Sequence, residues 1–536
     1  MKKRMIRIFC LFCGLFCMVF VRTGSLSTDL SLEAVSARQS SRTLSVTLTR
    51  GMIYDTKMRP LVNNEHQLFA AAAPCDQNKE AVWSDGRFLS DAATRAEQWL
   101  NGTPFLTPVS DSVDDLVQTA TLTQAVRYGT QSCAPHIIGY INSDGVGMTG
   151  IEQAYDELLS GYGADSVSFT LDARGNPILG ILPDRTLSEE AVEGVVLTID
   201  RRLQTIVEEV GSRMLTKGAV VLMEAGTGKL RACASFPTFD PNNVEAAMAD
   251  EEGAPLLNRA FSAYSVGSTF KSAVAAAALT QGVLLPADFC CTGSITVGDT
   301  VFHCFHREGQ GVLDFQNAMA GSCNPYFISI GQQLSPYGLR AMAEDLSFGK
   351  PTVFAPGFSS DDGTLPAVQT LENKGQLANF SFGQGQFAAT PVQLAQMMNA
   401  FVSGGAMTPA SLVEGTTVSG KLVDTPADDP VPTQAMRKET ADAVKEVLVY
   451  TVMGVESHAA RPKVVSAGGK TGTAQTGRFH ENGEEIVEGW FVGFFPAENP
   501  SYVMAVLCED AENGAKDASN TFREIVDQMT YRPPQE

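Results

Sequence analysis

Between residues 270 and 285 the chain reads FKSAVAAAALTQGVLL, a run in which Lys271 carries the only charge. Alanine and leucine give such a run high helix propensity, and a helix with no polar face must be buried. Gly267-Ser268 stands where the helix should begin, so Ser268 and Lys271, three apart, share one face of the first turn. The fold therefore has to enclose an uncharged helix and accommodate an ammonium group at its start.

Two readings of that pair are open on the stretch alone. In the first, Ser268 caps the helix and Lys271 snorkels out to water. In the second, the pair is chemical. A serine hydroxyl is a weak nucleophile until a base takes its proton, and burial lowers a lysine's pKa because it disfavours the charged form.

The rest of the chain favours chemistry. Only one other S-x-x-K occurs, Ser347 to Lys350, and there Gly349 and Pro351 spoil a helical face. The one S-x-N, Ser322-Cys323-Asn324, follows Ser268 by 54 residues, and the one K-[ST]-G, Lys470-Thr471-Gly472, leads into Thr473. Each is weak alone, whereas the ordered trio is specific. Ser268 would attack an acyl carbon and Lys271 take its proton, while Ser322 and Asn324 would pass a proton to the leaving amine and hold Lys271. Lys470 would add positive charge, and the Thr471 and Thr473 hydroxyls would grip a substrate carboxylate. Gly472 would let a peptide approach the strand edge. The backbone N–H groups of Ser268 and Thr473 would form an oxyanion hole. The bland alternatives are a turn for Ser322 and Asn324 and a solvated edge strand for Lys470.

Composition narrows the partners and compartments. With 39 basic and 60 acidic residues the formal net charge is −21, so nucleic acid is not an expected partner. Lys2, Lys3, Arg4 and Arg7 precede the apolar run at 8–21, and Arg22 follows it. Fourteen helical residues span about 21 Å against roughly 30 Å of hydrocarbon, so a cleaved signal peptide competes with an anchor. No A-x-A follows, only Ser25-Leu26-Ser27, and the flanking arginines can snorkel. The expectation is a single-pass membrane anchor with everything after about residue 26 extracytoplasmic. Of 11 cysteines, eight follow the anchor, where disulfides are permitted. Cys291 with Cys304 is the best candidate pair, with Cys290 as a competing partner and free thiols in a buried hairpin as the alternative. His66, His136, His303, His306, His458 and His480 show no metal-binding spacing, so no metal is expected.

Along the chain, the alternation in TLSVTLTRGMIYD reads as strand, the stretch at 63–103 has weak periodicity, and a composition change falls near Val195. Then VVLTIDRRLQTIVEEV reads as strand and amphipathic helix, with Leu203, Ile206, Val207 and Val210 on one face. Two strands meet at Gly226-Thr227-Gly228, a helical region follows to about 455, and three strands and a helix near 521–530 close the chain. This order predicts an α/β sandwich with the Lys271 helix buried against an antiparallel sheet. The expected domains are the anchor at 1–26, an α+β domain at 27–190 and a catalytic domain at 191–536. GVGMTG at 145–150 fits the dinucleotide pattern G-x-G-x-x-G, but the preceding Asn142-Ser143-Asp144 is turn text and no doubly wound sheet surrounds it. No cofactor is expected.

The motifs together resemble the class B penicillin-binding proteins, over nearly the whole chain. TRGMIYDTKMRPL is similar to their early Arg-Gly motif, and LTIDRRLQ to the opening of their transpeptidase domain. FPTFDPNN, LNRAFSAYSVGSTFK, SCNPYF, FGQGQFAATPVQLA and GGKTGTAQT follow in family order. Val266 stands where that family usually has proline, and Thr56 where it usually has arginine. The resemblance implies a serine D,D-transpeptidase on a serine β-lactamase-like fold with a non-catalytic pedestal. Its substrates would be peptidoglycan stem peptides ending in D-Ala-D-Ala, and β-lactam antibiotics would acylate Ser268. A membrane glycan polymerase is the implied partner. A β-lactam hydrolase or sensor on the same fold is the alternative, and a catalytically silent scaffold a more distant one.

Overall fold

The computed structural model describes residues 2–27, 40–47, 49–130, 132–188, 193–418, 420–424, 431–479 and 483–531; His480 lies outside them. The chain divides into two compact units, one of residues Met1–Arg50, Asn63–Arg127 and Gly161–Ala191, the other of Gly51–Val62, Tyr128–Ser160 and Val192–Glu536.

In the first unit the helix Lys2–Ser27 is exposed along its length, and among the described residues it alone is long and apolar enough to cross a membrane. Its 26 residues give about 39 Å. The basic flanks extend it well beyond the apolar run. The stretch of weak periodicity contains a strand, Glu65–Ala72, at the centre of a three-stranded antiparallel sheet between Phe105–Val109 and Thr119–Val126. Ala71 packs with Leu122, Val167 and Phe169, whereas Ala70 and Ala72 pack with Val82, Phe88 and Val109. A strand buried on both faces by alanines has a helix former's composition, and its two sheet neighbours override that preference.

The second unit differs from the expected boundary at 190. Met52–Tyr54 pairs in parallel with Gly194–Leu197, and Ile53, Leu61, Ile137, Ile138 and Ile151 join the same core as Val195 and the Lys271 helix. The chain thus enters this unit three times. Thr56 accepts a hydrogen bond from Arg231 and donates to Glu414, so a guanidinium from the strand Leu230–Phe236 stands beside it. The last two glycines of GVGMTG make close approaches within the chain: a Cβ on Gly147 would collide with the Glu152 carbonyl oxygen, and one on Gly150 would lie 2.5 Å from the Ile137 carbonyl oxygen. No phosphate cradle forms there.

Five antiparallel strands make the central sheet, in the order Leu230–Phe236, Gly218–Glu224, Tyr502–Cys508, Glu485–Phe495 and Gly468–Phe479. The inner strands carry long apolar runs, such as Ala219–Met223 and Tyr502–Cys508, because both faces are covered. Val221, Val503 and Ala505 face a core shared with the helices Lys271–Gln281 and Pro391–Val402. Val220, Leu222, Met504 and Val506 face Leu203, Ile206, Val207 and Val210 of Arg201–Met214 and Phe522, Ile525 and Val526 of Ala515–Tyr531. Helices therefore cover the sheet on both sides, and Gly468–Phe479 is left at its edge.

Candidate active site

A short 3-10 turn, Gly267–Phe270, carries Ser268 and runs directly into the helix Lys271–Gln281. Ser268 is half-buried and caps nothing; among the described residues its hydroxyl has no protein partner. The turn is fixed from several sides. Gly267 has φ +61°, its N–H donates to the Gly383 carbonyl, and a Cβ there would lie 2.8 Å from the Thr473 carbonyl oxygen. Phe270 is enclosed by Phe348, Phe380 and Phe387. The Trp490 indole donates to the Ser265 carbonyl at 2.8 Å. The backbones of residues 267 and 473 are therefore closely apposed.

Lys271 does not snorkel. It is fully buried, and its Nζ donates to the Ser322 carbonyl at 2.7 Å, the Ser322 Oγ at 3.1 Å and Asn324 Oδ1 at 2.7 Å. Ser322 is held in the left-handed region at φ +49°, a strained conformation for serine that presents both of its oxygens to one amine. Asn324 opens the helix Asn324–Gly331, and its Nδ2 donates to the His303 carbonyl at 3.0 Å, which fixes the amide's orientation. The His303 carbonyl belongs to the site, and as a backbone contact it leaves no mark in the side-chain pattern.

Lys470 is equally buried, and its Nζ lies 3.1 Å from the Ser322 Oγ, 3.1 Å from the Thr471 carbonyl and 3.4 Å from Thr471 Oγ1. Ser322 Oγ thus bridges two amines. Burial pushes Lys470 down to about 7. Lys271 is lowered well below its ordinary value by burial first and by the nearby Lys470 charge second. An amine so placed is available to accept a proton near neutral pH, and the Ser322 hydroxyl offers a path from it to a leaving group.

On the edge strand Thr473 is exposed and its Oγ1 accepts the Ala515 N–H at 3.3 Å, which leaves the hydroxyl proton for a ligand oxygen. Gly472 is buried, and a Cβ there would meet Thr269 Cγ2 at 2.9 Å and the Val266 carbonyl at 3.1 Å. Its missing side chain lets the strand pack on the Ser268 turn. The structure brings Ser268, Lys271, Ser322, Asn324, Lys470, Thr471 and Thr473 to one place, with Gly472 beneath them.

All eleven cysteines are free thiols, Cys291 and Cys304 among them.

The family described as "Penicillin binding protein transpeptidase domain" matches residues 218–527, more than half of the chain. Stage V sporulation protein D of Bacillus subtilis is 29% identical over 431 residues, 76% of this chain and 64% of its own length. The peptidoglycan D,D-transpeptidase MrdA of Haemophilus influenzae is 28% identical over 438 residues, 74% of this chain and 65% of its own. The chain thus spans a little under two thirds of those relatives. Penicillin-binding protein 3 of Mycobacterium tuberculosis, solved with aztreonam, superposes with a TM-score of 0.66 at 21% identity, covering 91% of this chain and 97% of that one.

Proposed function

Since the chain belongs to the penicillin-binding protein transpeptidase family, we propose that it is a peptidoglycan D,D-transpeptidase acting through an acyl-serine and acylated by β-lactams. The observation that carries this reading is the Ser322 hydroxyl held 3.1 Å from both buried amines, Lys271 and Lys470. In the proposed sequence, Ser268 Oγ attacks the carbonyl of the penultimate D-Ala and its proton passes to Lys271. The oxyanion is met by the N–H groups of Ser268 and Thr473. As the C–N bond breaks, the proton travels through Ser322 Oγ to the departing D-Ala amine. An amine of a neighbouring stem peptide then attacks the acyl carbon and gives up a proton to Lys271; the ester bond to Ser268 Oγ breaks and that oxygen takes the proton back, which restores the hydroxyl. Lys470, Thr471 and Thr473 hold the substrate carboxylate.

The helix Lys2–Ser27 fits a single-pass anchor, and we assign the catalytic unit to the extracytoplasmic side. The first unit serves as a pedestal, with a glycan polymerase of the membrane as partner. No cofactor enters the scheme.

Labelling the intact chain with a fluorescent penicillin, followed by mass location of the tag, tests the reading. The expected tag is on the peptide that contains Ser268, with an acyl-enzyme that persists for minutes or longer. Release of penicilloate within seconds would identify a β-lactam hydrolase instead.

A further inference from the structure

Behind the Ser322–Asn324 segment three cysteines converge from separate places in the sequence. Cys291 ends the strand Phe289–Cys291, Cys304 follows the hairpin strand Thr300–His303, and Cys323 precedes the helix Asn324–Gly331. Their exposures are 2%, 1% and 0%, and their three Sγ atoms all lie within 4.8 Å of one another. We propose that Cys291, Cys304 and Cys323 form a three-thiolate site for a thiophilic d10 cation, copper(I) ahead of zinc(II).

Three sulfurs around one cation at metal–sulfur distances of about 2.3 Å would stand about 4 Å apart in a trigonal plane, so small side-chain adjustments close the site. Thiolate donors select copper(I) and zinc over harder cations. Zinc sites almost always hold four ligands, and among the described residues the cluster consists of these three sulfurs, with no histidine or carboxylate joining them. Three-coordination suits copper(I). An outer partner is already in place: Gln310 Nε2 donates to Cys304 Sγ at 3.2 Å and to the Gly321 carbonyl at 3.1 Å, linking the sulfur to the residue before Ser322. Such donors to ligand sulfur orient it and tune the metal. The surrounding segments reach the surface nearby: Phe305, just past the strand Thr300–His303, and Val312, on the strand Gly311–Leu313 that pairs with Phe289–Cys291, are both exposed. On binding, each S–H releases its proton to solvent and each sulfur donates one electron pair to the cation; no electron is transferred. Because Cys323 lies between Ser322 and Asn324, occupation would anchor the segment that holds Lys271.

The test uses the full chain in detergent, fully reduced and without oxygen, with Cys10, Cys13 and Cys17 changed to serine so that the N-terminal helix cannot compete. Copper(I) is titrated against a bathocuproine chelator. One cation per chain is expected, with X-ray absorption showing three sulfurs at about 2.3 Å. Cys304→Ser should weaken binding by at least about a hundredfold, and Gln310→Leu, which keeps all three thiols, by about tenfold. Cys290→Ser, at the exposed neighbour of Cys291, should change nothing. Stoichiometric binding that survives Cys304→Ser, or a reduced chain that takes up no copper and re-forms a disulfide between two of the three cysteines in air, would overturn the proposal.

Discussion

The helix that carries Lys271 and the edge strand that carries Lys470 present the same residue, equally buried, to the same hydroxyl. They differ in what else they offer. Lys271 has three acceptors, all from residues 322 and 324, whereas Lys470 has Ser322 Oγ and its own neighbour Thr471. Burial alone lowers Lys470 to about 7. Lys271 suffers the same burial and the field of Lys470 besides, and both hold it well below its ordinary value. Two like charges in one dry site cannot both be held cheaply, so the second to ionise is displaced more than the first. One lysine type thus stands in two surroundings, one with three fixed acceptors and a neighbouring like charge, the other with burial as its main influence.

The largest effect should come from removing the proposed nucleophile, which stands one helical turn before the first of the two amines. Ser268→Ala should reduce penicillin labelling to background while moving Tm by less than about 2 °C, because the hydroxyl caps nothing and has no partner to lose. Labelling that persists in this variant would take the nucleophile away from Ser268.

Exchanging the two kinds of amine comes next. Lys271→Arg keeps a positive charge that cannot dissociate near neutral pH, so acylation should slow by at least about a hundredfold. A variant acylating at the native rate would make Lys271 a charge and erase the contrast with Lys470.

The contrast sharpens with pH. Lys470 is protonated below about 7 and loses its charge as pH rises through that value, so the KM of a carboxylate-bearing substrate should climb by about tenfold on the alkaline side. In Lys470→Arg the charge stays at all accessible pH, and the alkaline climb should vanish. Steady-state kinetics from about pH 5.5 to about pH 9, on both sides of the Lys470 value, decide it. An identical climb in both proteins would assign it elsewhere.

Smallest of all should be the effect of removing the N-terminal helix. A chain beginning near residue 27 should be acylated within about twofold of the full-length rate, since the site residues all fall in the second unit. It should nevertheless fail to support wall synthesis in cells, where the catalytic unit must stay beside the membrane. Loss of acylation in the shortened chain would tie the helix to the chemistry.

The motifs were legible because each is local. Ser268 and Lys271 are one turn apart, the residues of 322–324 and 470–473 are adjacent, and the apolar text of Gly218–Glu224 and Tyr502–Cys508 announces strands covered on both faces. Those patterns were enough for the fold class and the candidate residues, because periodicity and short spacing are set by a few neighbouring residues. Partners were not legible. That Lys470 meets a hydroxyl 148 residues away, that Gly472 yields space to Thr269, that Gly51–Val62 and Tyr128–Ser160 pack with the catalytic core, and that Cys323 joins Cys291 and Cys304 were decided by the tertiary structure. A pattern says which face must be buried but not which face will cover it, and that choice is made by packing and hydrogen bonding among segments far apart in the chain.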